Sequence, residues 1–498
     1  MAASDRREGR ITRRVFVLYI QISTVLILVF SQALLPSRLH EHTLIYLACV
    51  FLTLSFLWSL WSWRLLGGKL SDPYILFIVT ATVFNGGQAF LEVFGLNSTG
   101  ILRGRFSPEA ILATLTFVIL GLASFHLGGL IAAASYKGKR AADTEQEVDI
   151  LALQGGCAVG LLAVLIALVP TLLILRESVS LVMSFGYFSI FTQEPRVGIE
   201  AAPRVLATFL VPGSLFLLAV SAKRPDIRLL SLGIVAGYSF VMLFIGQRYS
   251  AMLPLISYMW LRHRVIRPLP RMIILALAMI ALVVVVPLVR AIRNIPGEQR
   301  LSINFLLEAY RSLENPAIAA VSELGGTMAT VAYTMDLVPK RQDFNQGLSY
   351  LFAASTIIPN ILWEIHPAQA HSDLGAWLIA QVDPYTAERG GTIGYSFIAE
   401  AYFNFGWYGA PIILGLFGFL YARLVLWAER SNNPLKLAVL ASYLAFFLFF
   451  ARAGSGTIVR PLVWYALSPY LGALLLRPVL AKLLSRYPHL RKRTQDVL

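Results

Sequence analysis

Charge is scarce in this chain, and cysteine is scarcer. Asp, Glu, Lys and Arg make up 14% of the 498 residues, against 57% hydrophobic residues. A water-soluble globular chain of this length has no use for so much apolar surface. The two cysteines, Cys49 and Cys157, both sit inside apolar runs, which excludes a disulfide framework and a cysteine metal site. No Walker loop, dinucleotide fingerprint or metal-ligand cluster occurs, so nothing points to a cofactor, an ATP-driven pump or a soluble-type nucleotide-sugar enzyme. Internal repeats and low-complexity segments are missing too. The formal net charge of +15 is spread over loops between hydrophobic stretches, so no nucleic-acid partner is expected. No small-residue cleavage site follows the basic stretch Met1 to Arg14, so an uncleaved first span is expected there.

What the sequence does hold is a series of long apolar runs. A spanning helix needs about 20 apolar residues. Spans are expected near 15–35, 43–63, 73–95, 109–134, 150–175, 204–222, 229–246, 249–261, 272–289, 396–422, 435–450 and 461–476. The fold class is therefore an all-α polytopic integral membrane protein with about twelve transmembrane helices. Residues 1–289 form an N-terminal bundle of about nine spans, and 290–395 a large extracytoplasmic loop. Residues 396–478 hold the C-terminal spans, and 479–498 a basic tail. The loop contains apolar stretches such as Leu348–Pro359, suited to interfacial or re-entrant helices. Pro316 is expected to open a helix, and Pro339 to follow the end of one.

A basic N-terminus places that end in the cytoplasm, and an even number of spans returns the basic tail to the same side. Seven of the eight lysines then fall inside, among them Lys69, Lys137, Lys139, Lys223, Lys436 and Lys482. The outer loops hold one lysine, Lys340, and fifteen arginines. Arginine binds phosphate through a planar bidentate fork, so this bias predicts an anion on the outer face.

Arg248 is the sharpest position. Residues 229–261 must hold two spans and a turn, about 15 residues per span against about 20 needed, so the turn at Gly246, Gln247 and Arg248 is expected below the surface. An arginine at that depth needs water or an anion. Arg290 and Arg293 end the ninth span on one side of a helix. Arg452 and Arg460 flank the loop ARAGSGTIVR. Arg196, Arg204, Arg300, Arg311, Arg341 and Arg389 are scattered over the outer loops, where they could meet acidic sugars or nothing.

Glu323, Thr327, Thr330 and Thr334 fall on one face of a mostly apolar helix, a polar stripe whose carboxylate could orient a sugar hydroxyl or accept its proton. Ser396, Glu400 and Asn404 stack at i, i+4 and i+8 where the tenth span begins. Glu400 entering a membrane helix needs a partner, and an outer arginine would serve. His366 and His371 titrate near neutral pH, which makes either a candidate general base.

The string GTIGYSFIAEAYFNFGWYG, residues 391–409, resembles a recurring pattern of the Wzy-type polymerases of oligosaccharide (O-antigen) repeat units. Gly394, Ser396, Glu400, Tyr402, Asn404, Phe405, Gly406 and Gly409 fit it. Gly347, Pro359, Trp363 and Pro367 fit a second pattern upstream. Where members often carry a basic residue after that first proline, this chain has Asn360. The Gly246–Arg248 turn, Arg290 and Arg452 also match family positions, and the resemblance covers roughly residues 240–460. It implies a multi-spanning, metal-independent, lipid-dependent glycosyltransferase of the bacterial inner membrane. Its termini would be cytoplasmic and its active site would face the periplasm. Donor and acceptor would both be undecaprenyl-diphosphate-linked oligosaccharides amid membrane lipid, with a chain-length regulator and a flippase as possible partners.

On this reading Arg248, Arg290, Arg293 and Arg452 meet the diphosphate, with Ser396, Tyr402 and Asn404 as further substrate contacts. Glu323, Glu400 and His371 are the candidate bases. Two alternatives stay open, an O-antigen ligase and a lipid-linked oligosaccharide flippase. The flippase predicts mid-span ionisable groups and repeat symmetry, and the sequence offers only Glu92 and His126.

Overall fold

A backbone surrounded by Leu, Ile, Val, Phe and Ala has no polar partner but itself, so in lipid it closes its hydrogen bonds as helix. The computed structural model follows that rule, and no strand occurs among the described residues. These are 2–34, 41–136, 150–191, 198–293, 299–300, 302–312, 314–358, 366–367, 373–388, 390–391, 393–431 and 433–486.

The first helices are α1 (Ala2–Leu34), α2 (Glu41–Leu65), α3 (Pro73–Val93), α4 (Pro108–Ser135) and α5 (Ile150–Phe185). Next come α6 (Ala202–Ala207), α7 (Leu210–Ala219), α8 (Pro225–Ile245), α9 (Arg248–Val265), α10 (Arg271–Ile280) and α11 (Val286–Arg293), the last two joined by a π-helical segment. The large connection contributes α12 (Ile303–Arg311), α13 (Pro316–Gly325), α14 (Met328–Leu337), α15 (Leu348–Ser355), α16 (Leu374–Val382) and α17 (Pro384–Glu388). The chain then runs through α18 (Phe397–Glu429), α19 (Pro434–Phe447) and α20 (Ser468–Arg486).

Among the described residues, eleven helical stretches are long and apolar enough to cross a membrane. Eleven of the twelve expected spans coincide with them. The remaining one, α9, has 18 residues and carries Arg248 at one end and Arg262, His263 and Arg264 at the other, which lowers its apolarity. It still runs the depth of the bundle. Arg248 lies with the ends of α8, α11 and α13, whereas Arg264 pairs with Glu429 at the end of α18. The expectation of two helices of about 15 residues is corrected here. Pro225 starts α8 early and α9 continues through its basic turn, giving 21 and 18 residues. Short helices therefore do not account for the burial of Arg248.

The core is built on α18 lying along α4. Small residues permit it: a Cβ on Gly128 would lie 1.8 Å from the Gly415 carbonyl oxygen, and one on Gly418 1.8 Å from that of Phe125. Phe77, Phe397, Tyr421, Phe447 and Phe450 fill the space between α3, α18 and α19. His126 in α4 is buried, with its ring nitrogens 2.8 Å from Ser62 Oγ and 3.1 Å from Tyr74 OH. Glu92 pairs with Arg103 at 3.0 Å. On the outside, every side chain from Arg271 to Ile280 is exposed, the surface of a helix meant for lipid.

The large connection packs onto one end of the bundle, α13 against α3 and α14 against α18. Pro316 opens α13, and α14 ends at Leu337, before Pro339. The continuous polar stripe is a further correction. The helix breaks at Gly326 and Thr327. Thr327, Thr330 and Thr334 are buried, and their hydroxyls bond to backbone carbonyls within the same stretch. In α15, Leu348 and Leu351 are exposed while Ser349 and Ala353 are buried, an amphipathic arrangement fit for an interface. Helix α20 reaches Arg486, past the expected start of the basic tail at 479, and residues 487–498 lie outside the described residues.

Candidate anion site at one end of the bundle

The α8–α9 turn is the centre of the site. Arg248, 6% exposed, donates from Nη2 to Glu323 Oε1 at 2.6 Å. Arg290 Nε stands 4.0 Å from Glu323 Oε2, and the Arg290 side chain is half exposed. Arg293 donates from Nε to the Gly246 carbonyl at 3.0 Å, and its guanidinium lies 4.6 Å from the centre of the Tyr187 ring. Burial raises the Tyr187 hydroxyl above its ordinary value, opposed by the charges of Arg293, Arg248 and Arg452. Tyr249, next to Arg248, stacks on Phe449 at 4.4 Å and ties this turn to the segment carrying Arg452.

Arg452 is held by its own surroundings. The Ala451 carbonyl accepts from Asn85 Nδ2 at 3.0 Å, and the Arg452 carbonyl accepts from the Tyr395 amide at 3.1 Å. The side chain lies against Gly394, where a Cβ would fall 2.5 Å from Arg452 Nε. Gly394 therefore makes room for the arginine.

Two arginines, Arg248 and Arg290, meet one carboxylate here. Burial raises the Glu323 carboxyl, but the hydrogen bond and charge of Arg248, with Arg290 and Arg293 behind, outweigh it, so the group is held below its ordinary value. Glu323 is thus a weaker base than a free glutamate in this arrangement. Two polar atoms of the pair stay unmatched: Arg248 Nη1 and Glu323 Oε2 are buried and have no hydrogen-bond partner among the described residues. Such atoms are costly unless another group completes them.

Glu400, Ser396, Asn404 and Tyr402 form a different structure. Glu400 is 1% exposed and meets serines, where an arginine partner was expected. Its Oε1 accepts from Ser349 Oγ at 2.8 Å and Ser455 Oγ at 2.7 Å, and its Oε2 from the Ser455 amide at 2.7 Å. Asn404 donates to Ser349 Oγ at 2.8 Å and accepts from the Gly347 amide at 2.9 Å. At Gly406 the backbone leaves the helix with φ 63° and ψ −162°, a region essentially reserved for glycine. The carbonyls of Phe403 and Asn404 accept from the amides of Asn345 and Gln346. The patterned segment is thus a hook that holds the 345–349 turn on α18. Ser396 caps that helix and donates to Asn85 Oδ1 at 2.6 Å, and the Tyr402 ring packs against Phe117 and Phe344.

Of the remaining positions, His371, Arg196 and Arg389, with Pro359, Asn360 and Trp363, lie outside the described residues. His366 is buried, its Nε2 3.2 Å from the Ile358 carbonyl. Arg460 donates to the Thr356 carbonyl at 2.7 Å. Arg300 is one of the arginines expected to be scattered over the outer loops. It is 3% exposed and donates from Nη1 to the carbonyls of Phe244 and Ile245, both at 3.2 Å, so it clasps the same α8–α9 turn. Tyr187, under the Arg293 guanidinium, is a second residue at this turn with no expectation attached to it. Nothing local in the sequence marks either residue, because the groups that bring them to this turn, the Phe244 and Ile245 carbonyls and Arg293, lie tens of residues away.

No curated protein and no solved structure is similar enough to match the chain. The sequence matches the family described as O-antigen polysaccharide polymerase Wzy over residues 15–483. With nearly the whole chain covered, and many apolar helices closing into one bundle, this is a multi-pass membrane protein that belongs to the O-antigen polysaccharide polymerase Wzy family.

Proposed function

We propose that this polymerase uses undecaprenyl-diphosphate-linked glycan as donor and transfers it to a hydroxyl of a second lipid-linked repeat unit, at a site facing the periplasm across the bacterial inner membrane. The observation that carries the reading is the arginine group around the α8–α9 turn, with a buried guanidinium nitrogen of Arg248 left unmatched. Departure of a lipid diphosphate builds negative charge. Fixed guanidinium groups stabilise such charge without a metal, provided they are in place before the reaction. Arg248, Arg290 and Arg452 would face the diphosphate. Arg293 and Arg300, which hold carbonyls of the turn, would keep Arg248 in position. Glu400 and Asn404 would support the site by fixing the 345–349 turn. The lipid-exposed helices would keep both substrates' tails in the bilayer, and a flippase and a chain-length regulator would act before and beside the enzyme.

The test is a deletion strain complemented with variants, its surface polysaccharide resolved as a ladder on a gel. Arg248→Ala, Arg290→Ala and Arg452→Ala should leave single repeat units at normal protein level. Unchanged ladders with all three variants would remove the arginine group from the reaction.

A further inference from the structure

We propose that Glu323 is an exchangeable partner of Arg248: the donor diphosphate takes over the guanidinium, and the released carboxylate becomes the base that accepts the acceptor hydroxyl's proton. This rests on the diphosphate reading above and assigns the site a second role.

The geometry points to exchange. Glu323 Oε1 occupies Arg248 Nη2 at 2.6 Å and Oε2 stands 4.0 Å from Arg290 Nε, so one carboxylate lies between the two cations offered to a diphosphate. A diphosphate carries more charge and more acceptor oxygens than a carboxylate, and arginine forks match it. The pair also leaves Arg248 Nη1 and Glu323 Oε2 without a hydrogen-bond partner among the described residues, so the resting contact is incomplete on both sides. Glu323 is near the C-terminus of α13, just before the break at Gly326 and Thr327, and its side chain is 26% exposed. It therefore has a route outward that Glu400, 1% exposed and bonded at both oxygens, does not have.

The exchange supplies the timing that the resting pair lacks. Beside Arg248 the carboxyl is held below its ordinary value and is a poor base. Once Arg248 and Arg290 turn to the diphosphate, Glu323 loses its cations and gains a neighbouring anion, and both changes favour its protonated form. The step then balances. The acceptor oxygen bonds to the anomeric carbon while its proton moves to a Glu323 carboxylate oxygen. The bond from the anomeric carbon to the diphosphate oxygen breaks, and its electron pair leaves with undecaprenyl diphosphate. Without donor, Glu323 stays paired and no hydroxyl is activated.

The experiment uses the full-length protein in lipid nanodiscs, with inorganic pyrophosphate as the binding probe and undecaprenyl-diphosphate repeat units as the substrate. Glu323→Gln removes the competing charge. It should bind pyrophosphate about tenfold more tightly than wild type, while polymerisation slows by about 10²-fold or more for loss of a base. Glu323→Asp, with a shorter reach to Arg248, should also bind pyrophosphate more tightly and retain part of the polymerisation rate. Unchanged or weaker pyrophosphate binding in both variants would overturn the exchange. So would full polymerisation by Glu323→Gln. If wild type does not bind pyrophosphate and Arg248→Ala polymerises normally, the diphosphate reading itself fails.

Discussion

At the scale of single residues, the proposed site asks for arginine chemistry that lysine cannot copy. Lysine at 248 would keep the charge and lose the fork that meets Glu323 at 2.6 Å. Arg248→Lys should therefore insert normally and polymerise about 10²-fold more slowly, a loss of the size seen when one preorganised donor is removed. Rates measured on protein of matched amount check this. The ion pair has a consequence for pH as well. A carboxyl held below its ordinary value adds stability above its unfolded value and gives it up as pH falls through the folded one. Glu323 is such a group, so its pair contributes in full at neutral pH. The contribution is lost on acidification below the usual glutamate value of about 4.3. Melting curves across that range should fall less steeply for Glu323→Gln than for wild type. The sequence singles out Arg248, Arg290 and Arg452 as candidates because arginine without lysine is a chemical choice. Arg300 was not, because its meaning lies in two carbonyls more than fifty residues earlier.

At the scale of elements, the kinked start of α18 decides how the large connection sits. Gly406 has φ 63° and ψ −162°, and a Cβ there would fall 2.8 Å from the Phe344 ring. Gly406→Ala should cost about 1–3 kcal/mol. It should also loosen the 345–349 turn, read as a lower melting temperature and faster proteolysis within that turn. Glu400→Ala should behave alike, since it strands the Ser455 amide and two serine hydroxyls. In both variants stability and polymerisation should fall together, whereas Arg248→Lys should lose rate alone. The element pattern of α18 was plain from its sequence, and so was the need of Glu400 for a partner. That the partners are serines from residues 349 and 455 was hidden, because only the folded chain brings them to one place. The stripe from Glu323 to Thr334 misled for a related reason. Its spacing assumes one helix, and tertiary packing breaks it at Gly326 and Thr327.

At the scale of the whole molecule, the two ends of the bundle differ in chemistry. One end gathers Arg248, Arg290, Arg293 and Arg452, with Arg248 and Arg290 on the Glu323 carboxylate. The opposite end holds Asp72 bonded to Trp63, Arg264 paired with Glu429, and Arg430 over Tyr136. Helix α9 joins the two and carries arginines at both ends. Lys223 and Lys340 should then lie on opposite sides of the membrane. In a protein with Cys49 and Cys157 replaced, an impermeant maleimide should label Lys340→Cys in intact spheroplasts. It should reach Lys223→Cys only after permeabilisation, and labelling of both from one side would contradict the topology. Hydropathy made the eleven long apolar helices among the described residues readable because lipid leaves the backbone few options. Their packing order was not readable, since side chains facing lipid and side chains facing α4 or α18 are equally apolar.

In the proposed reaction the arginine group holds a lipid diphosphate while a glycan moves to a second lipid-linked unit. The most direct measurement supplies the purified full-length protein with undecaprenyl-diphosphate repeat units alone, in the presence of a metal chelator. It follows polymer length and undecaprenyl diphosphate released over time. The account predicts a ladder of products with one undecaprenyl diphosphate freed per unit added, and loss of both when Arg248 is replaced by alanine. A ladder that disappears with the chelator, or one that persists in Arg248→Ala, would contradict it.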